Sequence, residues 1–209
     1  MKKLESTLLN MVLVLTSVAV IMGGILALVN HLTEGPIADQ KATALADGIK
    51  TVMCVGDLKV AKTDTVKQND AKGKELTYIV YNVCDANGND LGAAVESTTG
   101  GFGGDLKVLV GFNTEGCILG YTLLEHAETP GLGAKADNWF QKGQKGDIIG
   151  KVPAEPLTVS KDGGQVDAIT ASTITSRAFL LAVNNAYNAY KATPTADAET
   201  GATQQQVKN

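Results

Sequence analysis

Asp167–Ser176 reads DAITASTITS and sets four hydroxyls, those of Thr170, Ser172, Thr173 and Thr175, beside the small side chains of Ala168 and Ala171. Such hydroxyls cap helices, because their oxygens accept the N–H groups that a first helical turn leaves without partners. The same N–H groups and the helix dipole also make a helix N-terminus a site for phosphate. Capping accounts for one hydroxyl at least, while so many beside small neighbours also suit a phosphate lying close to the chain. Arg177, the only arginine, follows Thr173 by one turn, within reach of the same phosphate or of Asp167.

Two further segments have the composition of binding loops. Gly100-Gly101-Phe102-Gly103-Gly104 follows a strand-like run, and glycines let a ligand approach the backbone, with Gly101 and Gly103 as candidates. No Gly-Lys-Ser/Thr follows, so this is not a nucleotidase phosphate loop; a plain hairpin connection is the other reading. Glu125–Gly133 reads EHAETPGLG, in which Thr129-Pro130-Gly131 makes a turn flanked by Glu128 and Leu132. His126 and Glu128 form either half of an acid–base or metal pair, or surface polar residues at a strand end.

The elements that must position these loops follow from periodicity. Pro36 opens a helix in which Ile37, Lys41, Leu45, Ile49 and Val52 share a face up to Met53. The polar stretch Lys62–Glu75 reads as loop. Thr77–Cys84, the turn Asn87-Gly88 and Asp90–Thr98 form one hairpin; Leu106–Phe112, Asn113–Gly116 and Cys117–Leu124 form a second. A helix at Lys135–Lys142 carrying Trp139 and Phe140, a last strand at Leu157–Ser160 and a helix at Ile174–Tyr190 complete the set. The last helix directs Ile174, Phe179, Ala182, Val183, Ala186 and Tyr190 to one side. The expected class is α+β: an antiparallel sheet with flanking helices over residues 34–191, followed by a polar, disordered tail at 192–209.

Ahead of this domain, Leu8–Asn30 is a single apolar run without a charged residue, long enough at 1.5 Å per residue to cross about 30 Å of hydrocarbon. It exceeds the apolar core of a signal peptide and lacks a small-residue cleavage pattern, so an uncleaved anchor is expected. Lys2 and Lys3 assign residues 1–7 to the cytoplasm and the domain to the extracytoplasmic side. Ala19, Gly23 and Ala27 share a helix face, which is either a packing stripe or ordinary membrane-helix composition. The formal net charge of −4 and the lack of a basic stripe exclude nucleic acid as a partner. Three widely spaced cysteines, Cys54, Cys84 and Cys117, exclude a disulfide scaffold and are expected to be buried.

The run DAIT-AST-ITS resembles the covalent flavin-attachment motif, an Asp followed three residues later by Ser/Thr-Gly-Ala-Thr. That motif marks the G subunit of the Rnf electron transport complex and the related C subunit of sodium-pumping NADH:quinone reductase. By this resemblance Thr173 is the attachment residue, joined through a phosphoester to FMN by a flavin transferase that uses FAD. Asp167 takes the acidic position and Thr170 the first hydroxyl, while Ala171 and Ser172 stand where the family has Gly and Ala; Thr175 lies just beyond. The anchor, the glycine loop, the ETPGLG segment and the C-terminal helix resemble the Rnf G subunit along nearly the whole chain apart from the tail. Gly101, Gly103, Glu128, Thr129, Gly131 and Leu132 are then implied to line the flavin, with Trp139 either stacking on it or lying in the core.

The resemblance implies a single-pass subunit of the cytoplasmic (inner) membrane, working among the membrane and redox subunits of an ion-translocating ferredoxin:NAD oxidoreductase. It implies an electron carrier rather than a catalyst in its own right. The other readings are the quinone-reductase subunit and a non-redox ectodomain that binds a ligand or scaffolds a complex.

Overall fold

The computed structural model describes residues 7–69, 73 and 75–193. Of the tail expected at 192–209, Ala192 is still helical and Thr193 is buried, its hydroxyl donating to the Ala189 carbonyl at 3.0 Å; the rest of that tail, and Lys2 and Lys3, lie outside the described residues. The chain divides into two compact units between Leu45 and Ala46.

The first unit is the greater part of helix α1, Leu8–Met53, whose apolar N-terminal portion is long enough to cross a membrane and is wholly exposed. Its polar side chains are satisfied locally, as an apolar environment requires: the Ser17 and Thr33 hydroxyls donate to the Leu13 and Val29 carbonyls at 2.8 Å. The sequence places a helix start at Pro36, yet α1 runs through it. A proline inside a helix forfeits one hydrogen bond to the carbonyl four residues back, which the helix tolerates here.

In the second unit, strands β1 (Lys59–Asn69), β2 (Glu75–Cys84), β3 (Asp90–Gly100), β4 (Asp105–Phe112) and β5 (Ile118–His126) form one antiparallel sheet in chain order. Each strand pairs with its successor. Residues of like face line up across the sheet: Val80 stands opposite Val95, Val95 opposite Val110, and Val110 opposite Tyr121. This face is covered by helix α3, Thr173–Ala192, through Phe179, Ala182, Val183 and Ala186, all fully buried. The Phe179 ring lies parallel to Phe140 at 4.3 Å and edge-on to Tyr121 at 4.7 Å.

The opposite face takes the last turns of α1. Ala94 pairs with Gly111, and Gly111 with Gly120. A side chain at Gly111 would run into the carbonyl oxygen of Val52, so this row of small residues lets the helix backbone lie on the sheet. Ile49, Val52 and Met53 are buried there.

The two sequence hairpins are present, and the glycine run connects them. Several other expectations need correction. Within the expected loop Lys62–Glu75, residues 62–69 belong instead to edge strand β1 and Glu75 opens β2, and the mostly exposed β1 carries the Lys62–Asp64 and Lys67–Glu75 ion pairs in place of apolar alternation. Leu157–Ser160 is not a strand, since Val159 makes one isolated parallel bridge to Val166 before a 3₁₀ turn at Ser160–Asp162. The helix at Lys135–Lys142 shrinks to a 3₁₀ turn, Gly133–Lys135, and one α turn, α2, Ala136–Trp139. Nor are the cysteines buried: Cys54 is exposed and Cys84 and Cys117 are half-buried, all three free thiols.

Phe179 joins α3, the sheet and the segment around Phe140, so its truncation should cost about 3–5 kcal/mol, the range for a fully buried aromatic. Urea denaturation of Phe179→Ala against the parent measures this.

Candidate functional site

Glu128 is the centre of the site. It follows β5, is 5 % exposed, and spends both carboxylate oxygens within the protein. Oε1 accepts from the Phe102 N–H at 2.6 Å and the Gly103 N–H at 3.3 Å; Oε2 accepts from the Thr175 hydroxyl at 2.8 Å. A buried carboxylate is costly unless its lone pairs are met, and these three donors meet them. They come from the β3–β4 loop and from α3, so one side chain ties three distant stretches of chain together.

The glycines make that possible. A Cβ at Gly101 would collide with Glu128 Oε1, and one at Gly133 would meet both Oε2 of Glu128 and the Thr175 hydroxyl. The Gly100–Gly104 segment is also a closed hairpin loop, with the Gly101 N–H donating to the Gly104 carbonyl at 2.8 Å. Glu128 is correspondingly not a surface residue, and its partners are loop amides and a threonine; His126 Nδ1 accepts from the Glu128 N–H at 3.3 Å.

Beside Glu128 opens a cavity of about 370 Å³, lined by Phe102, Glu128, Thr129, Leu132, Gly133 and residues 171–175 at the start of α3. Its walls are mixed. Phe102, Leu132 and Ile174 are 69, 40 and 53 % exposed, apolar surface without cover. Ile174 thus leaves the core-facing side that the sequence assigns it and faces outward.

The four hydroxyls differ in their surroundings, and none caps α3 through its side chain. Ser172 occupies the N-cap position without a side-chain cap bond. Thr175 serves Glu128. The Thr173 hydroxyl, half-exposed at the first helical residue, accepts from Lys161 Nζ at 3.1 Å. Thr170 is exposed and outside the cavity. A fifth hydroxyl, Ser176, holds the turn before the helix, accepting from the Ile169 N–H at 2.9 Å and donating to the Ser172 carbonyl at 3.0 Å.

That turn bears on the departure from the flavin-attachment pattern. The Ser172 N–H donates to the Ile169 carbonyl at 3.0 Å, and Ala171, third of the four residues, has φ of +63°. This is the turn position that asks for positive φ, hence glycine. Ala171 adopts it with a Cβ.

Arg177 reaches neither the Thr173 hydroxyl nor Asp167. Its Nε and Nη2 both donate to Asp162, at 2.7 Å each, holding the Asp162 carboxyl below its ordinary pKa through those hydrogen bonds and the charge beside it. The cation at Thr173 is Lys161, which sequence reasoning misses because it sits twelve residues away, in the 3₁₀ turn. Asp167 also lies outside the cavity lining. Its Oδ1 accepts from the Ser160 hydroxyl at 3.1 Å, bracing the turn that carries Lys161. Trp139 does not line the cavity either; its Nε1–H donates to the Asp167 carbonyl at 2.8 Å. Gly101, Gly103 and Gly131 shape the loops rather than the walls.

Tyr121 fixes the segment that follows. Its buried hydroxyl donates to the Ala136 carbonyl at 2.7 Å and accepts from the Phe140 N–H at 3.1 Å, and burial drives its pKa upward.

Comparison with known proteins bears on what such a site holds. The family model described as FMN-binding domain matches residues 101–188, a span that includes the glycine loop, Glu128 and the Thr173 turn. The chain is 33 % identical over 177 residues to the G subunit of the ion-translocating oxidoreductase complex of Shewanella baltica, covering 80 % of this chain and 82 % of that one. The protein of the same name from Vibrio cholerae is 34 % identical over 181 residues, covering 83 % and 86 %. Among solved structures, NqrC of Shewanella oneidensis superposes with a TM-score of 0.50 at 17 % identity, over 74 % of this chain and all of that one, a likeness of fold.

Two variants probe the turn and the Glu128 knot. Ala171→Gly should stabilise the domain by about 1 kcal/mol, because it relieves a left-handed Cβ. Thr175→Val should destabilise by about 1–3 kcal/mol, leaving a buried carboxylate oxygen without its donor. Chemical denaturation of each, with opposite shifts in midpoint, is the measurement.

Proposed function

The chain belongs to the G-subunit family of ion-translocating oxidoreductase complexes, and from that premise we propose that it carries electrons on an FMN held at this cavity through a phosphoester to Thr173. The supporting observation is the position of the Thr173 hydroxyl. It lies at the N-terminus of a long helix, on the lining of the cavity, with a lysine ammonium at 3.1 Å.

The residues fit the group. A phosphodiester keeps one negative charge, and Lys161 and the first-turn N–H groups of α3 offset it. A volume of about 370 Å³ with apolar Phe102, Leu132 and Ile174 suits part of a flat aromatic ring system whose remainder stays accessible. FMN, when bound, takes up and releases electrons singly or in pairs. The protein's own share is to hold and shield it: Glu128 sets the loop, Lys161 neutralises the phosphate, and Asp167 braces Lys161 through Ser160.

Thr173 Oγ forms the bond to the flavin-side phosphorus of FAD, the diphosphate P–O bond breaks, AMP departs, and the hydroxyl proton goes to a base of the flavin transferase. Ala171 and Ser172 are small enough to leave that approach open.

The reading extends to location and partners. Lys2 and Lys3 before the apolar run support a cytoplasmic N-terminus and an extracytoplasmic domain, where free FMN is scarce and a covalent link prevents loss. The partners are the membrane and redox subunits of a complex that couples ferredoxin and NAD to ion transport.

Produced together with a flavin transferase, the full chain should give a band fluorescent for flavin on a denaturing gel, and Thr173→Val should give a dark one. A dark parent band would leave the non-redox ectodomain. A fluorescent Thr173→Val band would move the attachment to another hydroxyl, with Thr170, exposed and at the first hydroxyl position of the motif, the next to test.

A further inference from the structure

Residues 172–176 carry hydroxyls at Ser172, Thr173, Thr175 and Ser176, and the last three have partners. Thr175 donates to Glu128, Ser176 accepts from the Ile169 N–H and donates to the Ser172 carbonyl, and Thr173 accepts from Lys161. Ser172 is different. Its N–H donates to the Ile169 carbonyl and its own carbonyl accepts from the Ser176 N–H, both at 3.0 Å, so its backbone groups are used in full. Its hydroxyl has no hydrogen-bond partner among the described residues, although the residue is only 9 % exposed. What remains open of it faces the cavity, whose lining it shares with Thr173.

A serine at the N-cap position ordinarily turns its oxygen onto the first-turn N–H groups. Ser172, with φ of −133° and ψ of 46°, makes no such bond. The first-turn N–H groups of α3 have no carbonyl four residues back inside the helix, and no side chain caps them. Donors therefore gather at one end of the cavity: the Ser172 hydroxyl, those amides, and the Lys161 ammonium beside Thr173. A hydroxyl held away from water costs free energy unless an acceptor reaches it, and an anion at the helix N-terminus is the acceptor that all these donors share. The flavin-attachment pattern has alanine at this position, which brings no hydroxyl to satisfy.

Resting on the reading of Thr173 as the attachment residue, we infer that the Ser172 hydroxyl is a phosphate-binding group, donating to an unesterified oxygen of the phosphodiester that Thr173 carries. A diester has two such oxygens sharing one negative charge, so Lys161 and Ser172 need not compete for one acceptor. Ser172 then adds to this chain a phosphate contact that a chain with alanine at this position lacks. The contact holds the cofactor after attachment and takes no part in forming the bond.

The test compares the full chain, in detergent, produced with and without flavin transferase. The denaturing gel comes first. A dark parent band defeats the FMN reading itself, whereas a dark Ser172→Ala band beside a fluorescent parent overturns the present inference, because the hydroxyl is then needed for attachment. With both bands fluorescent, urea denaturation of the loaded and unloaded forms is followed through Trp139, the only tryptophan. The covalent flavin stays on the unfolded chain, so the difference between the forms reports contacts made in the folded site. Ser172→Ala should leave the unloaded midpoint unchanged or raise it, since it removes a hydroxyl without a partner, and should lower the loaded one. Between the two forms its effect on the folding equilibrium should differ by about tenfold, the weight of one hydrogen bond to a charged group. Ser176→Ala is the contrast: that hydroxyl has both partners inside the protein, so its loss should lower the midpoint equally in both forms. The same effect of Ser172→Ala in both forms, or a smaller loss in the loaded one, overturns the assignment.

Discussion

The site depends on satisfying one buried negative charge. Glu128 cannot be left among apolar neighbours without donors, and its donors come from a loop between two strands and from the last helix. Almost everything else near the cavity is a consequence. Glycine is required at 101 and 133 because the carboxylate occupies the space a side chain would take. Thr175 points inward because a hydroxyl is needed there, which turns Thr173, two residues earlier on the helix, toward the outside. The arrangement of hydroxyls at the helix start therefore reflects a division of labour between an inner threonine that holds the fold and an outer one that is open to the cavity.

The sheet and the helices supply the rigidity that such a knot needs. The row Val80–Val95–Val110–Tyr121 gives α3 a continuous apolar bed, and Phe179 locks it against Phe140. Tyr121 then reaches past the core to fix the turn that follows Gly133. The loops that line the cavity are short and pinned by hydrogen bonds, so the site has defined walls although it is built from turns rather than from strands.

Much of this is legible in the sequence where the signal is local. The hairpins announce themselves by β-branched runs around Asn87-Gly88 and Asn113–Gly116, and α3 by its apolar spacing. The resemblance of DAIT-AST-ITS and ETPGLG to family motifs points to the residues on either side of the cavity. What stays hidden is long-range. Strand β1 is an edge, so charge pairs replace the alternation that marks a strand. Leu157–Ser160 has strand composition but only one bridging partner, and composition does not reveal whether a neighbour is available. Proximity along the chain couples Arg177 to Asp167, whereas the 3₁₀ turn folds Asp162 back to it and delivers Lys161 to Thr173. Phe102 carries no signal of its own, because flanking glycines speak of backbone freedom rather than of the one side chain they present.

The order of the strands has a further consequence. Each strand pairs with its immediate successor, so the sheet is a meander of mostly short-range contacts that can be laid down progressively from the N-terminal side. The cavity, by contrast, is incomplete until the final helix docks, because residues 171–175 form part of its wall. A ligand held there binds only the finished domain, so its binding free energy adds to folding and shifts the balance toward the docked helix. A ligand bound there would therefore favour chains whose last helix has docked over chains that have formed the sheet alone.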